Sequence, residues 1–410
     1  MKFITFQKPN LYYLFFIAYF ATIIVREFIA AQITENLTKS TYLFRMWIST
    51  LSHILSVIPF LIIKYRSKSS NDSNEKIKLS SKINFIIGDR INKYKGKNVC
   101  KHTLLTSVFS FLSEAVLYTF YFVNDKPEIY RSYSLSIYMI TNCVILYITS
   151  YFILKTFFYK HHYLSLSINF FCFLIDLIID IIQIIKQEIT EYRYYIYIIV
   201  KLIRLTFLCV FDCYAKFSML ESFLSPYSLL AYMSLYESIF LLIYSTPFFF
   251  ISIEEYDGTN DIIFKGFLNY LTGNKLLYSI LSLLNNYISD LSLIYIIDKF
   301  SPSHLTLALT LESFFKDTYY IIKYKIEGEN VYWNRYVDFG VFLALIIGSM
   351  IHNEIFIINK WGLNKKTKLF LNKEFHEENV DVERFLTSDE LDENEEKKEN
   401  VNDNELTNNK

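Results

Sequence analysis

Ten stretches of roughly twenty mostly apolar residues follow one another along the chain, and this repetition constrains the fold more than any other feature. A helix needs about twenty residues to cross the hydrocarbon core of a bilayer. We therefore expect an all-α membrane protein with ten transmembrane helices. The expected spans lie near residues 11–32, 42–63, 103–123, 132–157, 163–185, 194–217, 228–250, 276–297, 303–323 and 336–358.

The polar parts of the chain are concentrated in a basic loop and an acidic tail. They dilute an apolar excess that still gives 52% hydrophobic residues and a mean hydropathy of +0.24. The lipid bilayer is the expected partner, and no nucleic-acid partner is expected. The expected organisation is spans 1–2 within residues 1–63, a basic cytosolic loop at 64–102, spans 3–5 at 103–185, spans 6–10 at 194–358, and a disordered acidic cytosolic tail at 371–410.

The distribution of lysine and arginine predicts the orientation in the membrane. Residues 64–101 hold 11 Lys or Arg against 3 acidic residues, and basic loops of this kind stay on the cytosolic side. Counting spans outward from this loop places both termini in the cytosol and favours an even number of spans. The apolar run that begins at Leu11 continues past Val25 without a cleavage sequence, so it is expected to be a retained first span. The expected location is an endomembrane (Golgi, ER or vacuole) or the plasma membrane.

Two glycosylation sequons bear on this orientation. Asn36 lies in the first non-cytosolic loop, where modification is expected. Asn71 lies in the basic loop, where the sequon is expected to stay unmodified.

Ionisable residues near the middle of the spans point towards function. Each costs at least ~2.5 kcal/mol in hydrocarbon, so such residues normally face a bundle interior or a water-filled path. This pattern favours a transporter. The residues concerned are Glu114, Asp176, Asp180, Arg204, Asp212, Glu237, Asp290 and Glu312.

Two carboxylates in the fifth span form a close pair. Asp176 and Asp180 share a helix face at i, i+4 and would repel unless one were protonated or a cation lay between them. Lys201 and Arg204 share a face of the next helix and offer that charge. An ion-coupled or charged-substrate site and a structural salt bridge between helices are equally good interpretations of this set.

In the eighth and ninth spans, Asp290 and Glu312 together with Asn285 and Asn286 are expected to line a cavity.

Two segments begin with the same Ser-Pro pattern, FLSPYSLLAYMSLYES (223–238) and KFSPSHLTLALTLESF (299–314). Ser225 and Ser301 are suited to capping a helix, and the following prolines suit a first helical turn that needs no amide donor. Glu237 and Glu312 then fall about three turns further along, near the middle of the membrane.

Four stretches make the chain resemble the drug/metabolite transporter superfamily, which includes nucleotide-sugar, triose-phosphate and chloroquine-resistance-type transporters. KFSM (216–219) leading into LSPYSLLAYMSLY, closed by STPFF (245–249), is similar to that family's seventh helix. IYIIDKFSPSHLTLAL (294–309) is similar to its junction of the eighth and ninth helices, and GENVYWNRYVDFG (328–340) to the polar loop before its last helix. The last helix matches through Gly340, Gly348 and Asn353. The resemblance covers roughly the second half of the chain.

The resemblance implies two inverted five-helix repeats with a substrate cavity between them, working by alternating access. It implies a secondary transporter of a small polar organic solute, coupled to a proton or a counter-substrate, without a cofactor and not an enzyme. The lysine-rich signature of phosphate-bearing cargo is missing from the ninth and tenth spans, so the substrate is left open. Alternatives are a non-transporting scaffold or receptor of the same fold, or a membrane-embedded lipid-modifying enzyme. The expected substrate-binding residues are Glu312, Asp290, Asn286, Glu237, Arg204, Asp176, Asp180 and Glu114.

The histidines and cysteines suggest neither catalysis nor a metal site. His161 and His162 fall in a turn at the membrane edge, where surface exposure is expected. His53, near Pro59, is interpreted as a satisfied packing histidine rather than a proton relay. Four of the five cysteines lie in apolar segments and are expected to pack rather than to form disulfides or bind zinc.

Overall fold

The structure, a computed structural model, is an assembly of long helices. It describes residues 4–6, 14–33, 39–62, 99–123, 135–156, 158–187, 192–222, 224–250, 252–254, 260–328, 333–364 and 367. The helices are α1 (Leu14–Ile33), α2 (Lys39–Ser52), α3 (Val99–Val123), α4 (Leu135–Leu154), α5 (Lys160–Gln187), α6 (Tyr192–Glu221), α7 (Pro226–Phe249), α8 (Ile263–Asn269), α9 (Gly273–Lys299), α10 (Pro302–Ile326) and α11 (Trp333–His352). A 3-10 turn at His53–Ser56 follows α2, and the helix then resumes over 57–62.

Within the described residues, five helical segments are long and apolar enough to cross a membrane, namely Tyr42–Ile62, Val99–Phe120, Lys160–Ile179, Pro226–Phe249 and Lys275–Lys299. Shorter apolar stretches occupy Leu14–Arg26, Asn142–Leu154 and Tyr336–His352. The expectation of an all-α fold with several membrane-type helices is confirmed at this level.

Large apolar side chains face outward from the bundle as well as inward. Phe250 is 79% exposed, Phe152 72% and Ile243 71%. Exposed large apolar side chains of this kind suit contact with lipid.

The helices pack as a bundle in which distant parts of the chain meet. The most extensive contacts join α3 with α6, α1 with α9, α4 with α6, α5 with α11, and α10 with α11. Further contacts join α7 with both α3 and the 3-10 turn, α2 with α9, and α4 with both α5 and α10. A large apolar core lies where α6, α7 and α9 meet, and it includes Phe211, Met219, Leu229, Met233 and Ile297.

Short antiparallel strand pairs tie the connections together. Strand β1 (Ile4–Phe6) pairs with β4 (Phe356–Ile358), so the segment before α1 and the segment after α11 lie at the same end of the bundle. Strand β2 (Ser252–Glu254) pairs with β3 (Asn260–Ile262) between α7 and α8.

The two Ser-Pro segments begin helices as expected, but they are capped differently. Pro226 and Pro302 are the first residues of α7 and α10. Ser225 caps α7, because its hydroxyl accepts the backbone N–H of Ser228 at 3.2 Å. Ser301 does not cap α10 in this way, since its hydroxyl lies instead 2.8 Å from Nδ1 of His304.

Other motif residues connect helix ends. The Lys216 ammonium donates to the backbone carbonyl of Asp298, near the carboxyl end of α9, where a cation is favoured by the helix dipole. The Asn353 amide donates to the Ser303 carbonyl at 3.2 Å and accepts the Ser303 hydroxyl at 2.7 Å. These bonds fix α11 against the start of α10.

Several expectations lie outside the described residues. They concern most of the basic loop, the sequons at Asn36 and Asn71, and the acidic tail.

The two glycines of α11 differ in their surroundings and allow a matched test of helix packing. A Cβ on Gly348 would lie 2.8 Å from Oδ1 of Asn169, a fully buried residue of α5, whereas a Cβ on Gly340 would meet nothing within 4 Å. Alanine favours a helix over glycine by about 1 kcal/mol at either position. We expect Gly340→Ala to keep or raise the thermal unfolding midpoint of the purified protein and Gly348→Ala to lower it, since overpacking costs about 1–3 kcal/mol. Equal midpoints for the two variants would contradict close α5–α11 contact.

Candidate functional site

His53 lies between two carboxylates in the middle of the bundle. Its Nδ1 is 2.7 Å from Oε2 of Glu237 on α7, and its Nε2 is 3.2 Å from Oδ2 of Asp290 on α9. His53 is 8% exposed, and Glu237 is 3% exposed. His53 is buried and both of its ring nitrogens have partners, as expected of a satisfied histidine, and these partners are acidic groups from two other helices.

The position of His53 follows from a break in its helix. Pro59 cannot donate a backbone hydrogen bond and crowds the carbonyl four residues earlier, at Leu55. The chain forms the 3-10 turn His53–Ser56 just ahead of this proline. A short 3-10 segment inside a helix often marks a hinge or a functional position.

Two serines beside the break fix the local geometry. The Ser52 hydroxyl donates to the Ser49 carbonyl at 2.5 Å and to Oδ2 of Asp290 at 3.1 Å. The Ser56 hydroxyl donates to the His53 carbonyl at 2.5 Å. Such side-chain bonds compete with the helical ladder, and here they hold His53 and Asp290 together.

The three groups must share protons. A neutral imidazole has one N–H, whereas two ionised carboxylates only accept. Both short contacts of His53 are therefore satisfied either by an imidazolium between two carboxylates or by a neutral ring with one protonated carboxyl group. The net charge of this triad, His53–Glu237–Asp290, is then −1 or 0, depending on whether one more proton is bound.

One side of the triad has unused bonding capacity. Oε1 of Glu237 is buried and has no hydrogen-bond partner among the described residues. The Asp290 side chain is 29% exposed and forms the accessible side of the site. A buried acceptor without a partner is uncommon, and a bound proton, cation or solute group would satisfy it.

A second ion pair lies on α1 and α10. The Arg26 guanidinium is 3.3 Å from Oε1 of Glu312, whose side chain is 9% exposed. Nearby, the Asn285 amide of α9 donates to the Thr22 carbonyl of α1 at 2.9 Å. Helix α9 therefore contacts α1 through Asn285 and contributes Asp290 to the group around His53.

Two basic residues of α6 have partners among the described residues. Arg204 is 2.6 Å from Oε1 of Glu114 on α3, and Lys201 lies over the Tyr197 ring at 5.2 Å. Asp176 and Asp180 are on α5, but their side chains lie outside the described part of the structure.

The predicted site residues thus separate into groups. The structure brings Glu237 and Asp290 together around His53, pairs Glu312 with Arg26, and pairs Glu114 with Arg204. Asn286 is half-buried on α9.

Sequence reasoning missed His53, Ser52 and Arg26 as members of the central charged region. A histidine six positions before a proline inside an apolar span was the available signal for His53. Arg26 lies within the expected first span, and it supplies the cation for Glu312.

Comparison with known proteins adds no relative. No protein-family model matches the chain, and no curated protein matches it. We therefore carry the drug/metabolite transporter resemblance forward as a proposal.

Removing the imidazole tests whether His53 neutralises Glu237. We expect His53→Ala to lower the thermal unfolding midpoint strongly, because it leaves a buried carboxylate without its cation, a change that typically costs about 3–5 kcal/mol. Adding Glu237→Gln should restore much of the loss. The matched control is His102→Ala, which removes a half-buried histidine bonded to Tyr214 at 3.0 Å and should have a smaller effect. An equal loss in the single and double variants would contradict a charge-based role.

Proposed function

We propose that the chain is a secondary transporter of a small polar organic solute, built like the drug/metabolite transporters and working by alternating access. The observation that carries this proposal is the triad, in which His53 from the first half of the chain meets Glu237 and Asp290 from the second half. A protonatable site shared between two halves suits a carrier whose halves move relative to each other.

The helix contacts support two repeats of five long helices. The proposed correspondence relates α1 to α6, α2 to α7, α3 to α9, α4 to α10 and α5 to α11. If the two repeats are exchanged under this correspondence, the pair α1–α9 becomes α6–α3, and the pair α2–α9 becomes α7–α3. All four of these helix pairs are in contact in the structure. Three further packed pairs are unchanged when the repeats are exchanged, namely α5–α11, α2–α7 and α4–α10. Because each proposed repeat has an odd number of spans, the two repeats would cross the membrane in opposite senses.

Two of the charges on α6 and α10 are compatible with membrane spans because each has a partner of opposite charge on another helix. Arg204 contacts Glu114, and Glu312 contacts Arg26. A charge inside a membrane is tolerated where it faces protein and has a partner. We therefore propose ten spans, with α8 as a short connecting helix.

The triad suggests how the solute and an ion would be coupled. A proton bound to the triad, or a cationic group of the solute, would neutralise its remaining negative charge. Separation of the two halves would pull His53 away from the carboxylates, and the bound cation would make that separation less costly. The proposed cargo is therefore a polar solute that moves with, or in exchange for, a cation.

Transport by the purified protein in liposomes tests the function. Counterflow of amino acids, nucleotide sugars and phosphorylated sugars would be measured with and without a pH gradient. We expect one solute class to be taken up, and His53→Gln, Glu237→Gln and Asp290→Asn each to lower gradient-driven uptake at least about tenfold, a loss of about 1.4 kcal/mol of stabilisation. The control Glu327→Gln, at an exposed residue after α10, should transport normally.

Two outcomes of this experiment would contradict the proposal. Uptake that survives all three substitutions would remove the triad from the mechanism. No uptake of any solute class by the unmodified protein would favour the scaffold or receptor alternative.

Glycosylation mapping tests the proposed orientation. If both termini are cytosolic, a protein expressed in a secretory membrane should be modified at Asn36 and not at Asn71. Glycosidase-sensitive mobility of Asn36→Gln and Asn71→Gln variants would report this directly. Modification at Asn71 would contradict the proposed orientation, because it would place the basic loop on the non-cytosolic side.

A further inference from the structure

A cluster of metal-ligating side chains lies at one end of the bundle, outside the charged region described above. His161 and His162 are at the start of α5, and Glu354 is the second residue after the end of α11. One ligand atom from each residue can be chosen so that all three lie within 4.8 Å of one another. Among the described residues, this is the group of His, Cys, Asp and Glu with spacing suited to a metal ion.

His161 has the environment of a ligand rather than of a surface residue. It is 4% exposed, contrary to the expected surface position, and neither ring nitrogen has a hydrogen-bond partner in the described structure. Leaving a buried donor or acceptor without a partner costs about 1–3 kcal/mol. Its Nε2 lies 3.4 Å from Oε1 of Glu354, without hydrogen-bond geometry.

The backbone at Glu354 adds a second peculiarity. The Ile355 N–H bonds the Met350 carbonyl at 2.9 Å and the Glu354 N–H bonds the Ile351 carbonyl at 3.2 Å, which together form a Schellman motif at the end of α11. Glu354 occupies the left-handed position of that motif, with φ of 59°, where glycine is usual. A non-glycine side chain in the left-handed conformation costs roughly 1–2 kcal/mol. The Glu354 side chain in this conformation points its carboxylate at His161.

We propose that His161, His162 and Glu354 form a binding site for a divalent transition metal of the zinc type. Ligand atoms about 2.0–2.1 Å from a tetrahedral zinc ion are about 3.4 Å apart, which is the observed separation of the His161 and Glu354 atoms. Two imidazoles and one carboxylate are a ligand set that zinc accepts, with the fourth position left to water. Zinc would also satisfy the nitrogen of His161 that coordinates it.

The surroundings are suited to holding such an ion. The centroid of the His352 ring is 4.5 Å from that of His162 and 4.0 Å from that of Tyr147, on which His352 stacks. The His352 ring therefore forms one wall of the site. Nδ1 of His162 accepts the Tyr159 N–H at 3.0 Å. Coordination through that nitrogen would replace one neutral hydrogen bond at the α4–α5 turn.

Zinc titration of the full-length protein, purified with a histidine-free tag and stripped with a chelator, tests the site. We expect one zinc ion per chain by calorimetry and a rise in the thermal unfolding midpoint on adding zinc. Glu354→Gly should keep the fold, because glycine suits the left-handed position, yet should lose the zinc-dependent rise and at least tenfold in affinity. His161→Gln and His162→Gln should show the same loss.

His102→Gln is the matched control, since this histidine is on α3 and bonds Tyr214; it should leave zinc binding unchanged. X-ray absorption of the zinc-loaded protein should show nitrogen and oxygen ligands including imidazole. Zinc binding that is unchanged in Glu354→Gly and His162→Gln would overturn the site, as would stoichiometric binding that only His102→Gln removes.

Discussion

A buried carboxylate in a bundle of apolar helices requires a positive or proton-donating partner, and this requirement organises the middle of the protein. Glu237 is 3% exposed, and His53 supplies the partner from another helix 184 positions away. Glu312 likewise has the Arg26 guanidinium as its partner, and the Arg204 guanidinium has the Glu114 carboxylate. Each contact joins helices that are far apart along the chain. Asp212 on α6 is an exception, because it is 2% exposed and its Oδ1 has no hydrogen-bond partner among the described residues.

The break at His53 shows how local sequence sets up a long-range contact. Pro59 interrupts the helical ladder, and Ser52 and Ser56 bond the backbone in place of part of it. The 3-10 turn that results holds His53 towards Glu237 and Asp290. An unbroken helix would present a different set of side chains at this level. The hydrogen bond from Ser52 to Asp290 makes the break and the carboxylates parts of one unit.

Sequence patterns predicted the helices and their starts, which depend on neighbouring residues. They missed contacts between side chains that are far apart in the chain. The length of the apolar stretches predicted helices, and the two Ser-Pro segments correctly predicted that α7 begins at Pro226 and α10 at Pro302. Glu237 and Asp290 were selected because a charge in an apolar span is visible in the sequence alone. Their shared partner was not, since hydropathy does not say which helices touch. His161 was misjudged for the same reason, because the segment after α11 that buries it is almost two hundred residues away.

The two polar clusters occupy equivalent kinds of position in the proposed two-repeat arrangement. In the triad, His53 directly follows α2, Glu237 is on α7 and Asp290 is on α9. The proposed metal site joins the start of α5 to the segment after α11. The helix pairs concerned are α2–α7 and α5–α11. Each of these helix pairs is related to itself when the repeats are exchanged, so both lie along the interface where one repeat faces the other. A relative movement of the repeats changes contacts along that interface before it disturbs packing within a repeat. A metal ion holding α5 to α11 would therefore oppose such a movement from one end of the bundle. A cation at the triad would make the same movement easier, because it lowers the cost of separating His53 from its carboxylates. The two sites would then act on one conformational equilibrium in opposite directions, although they share no residue.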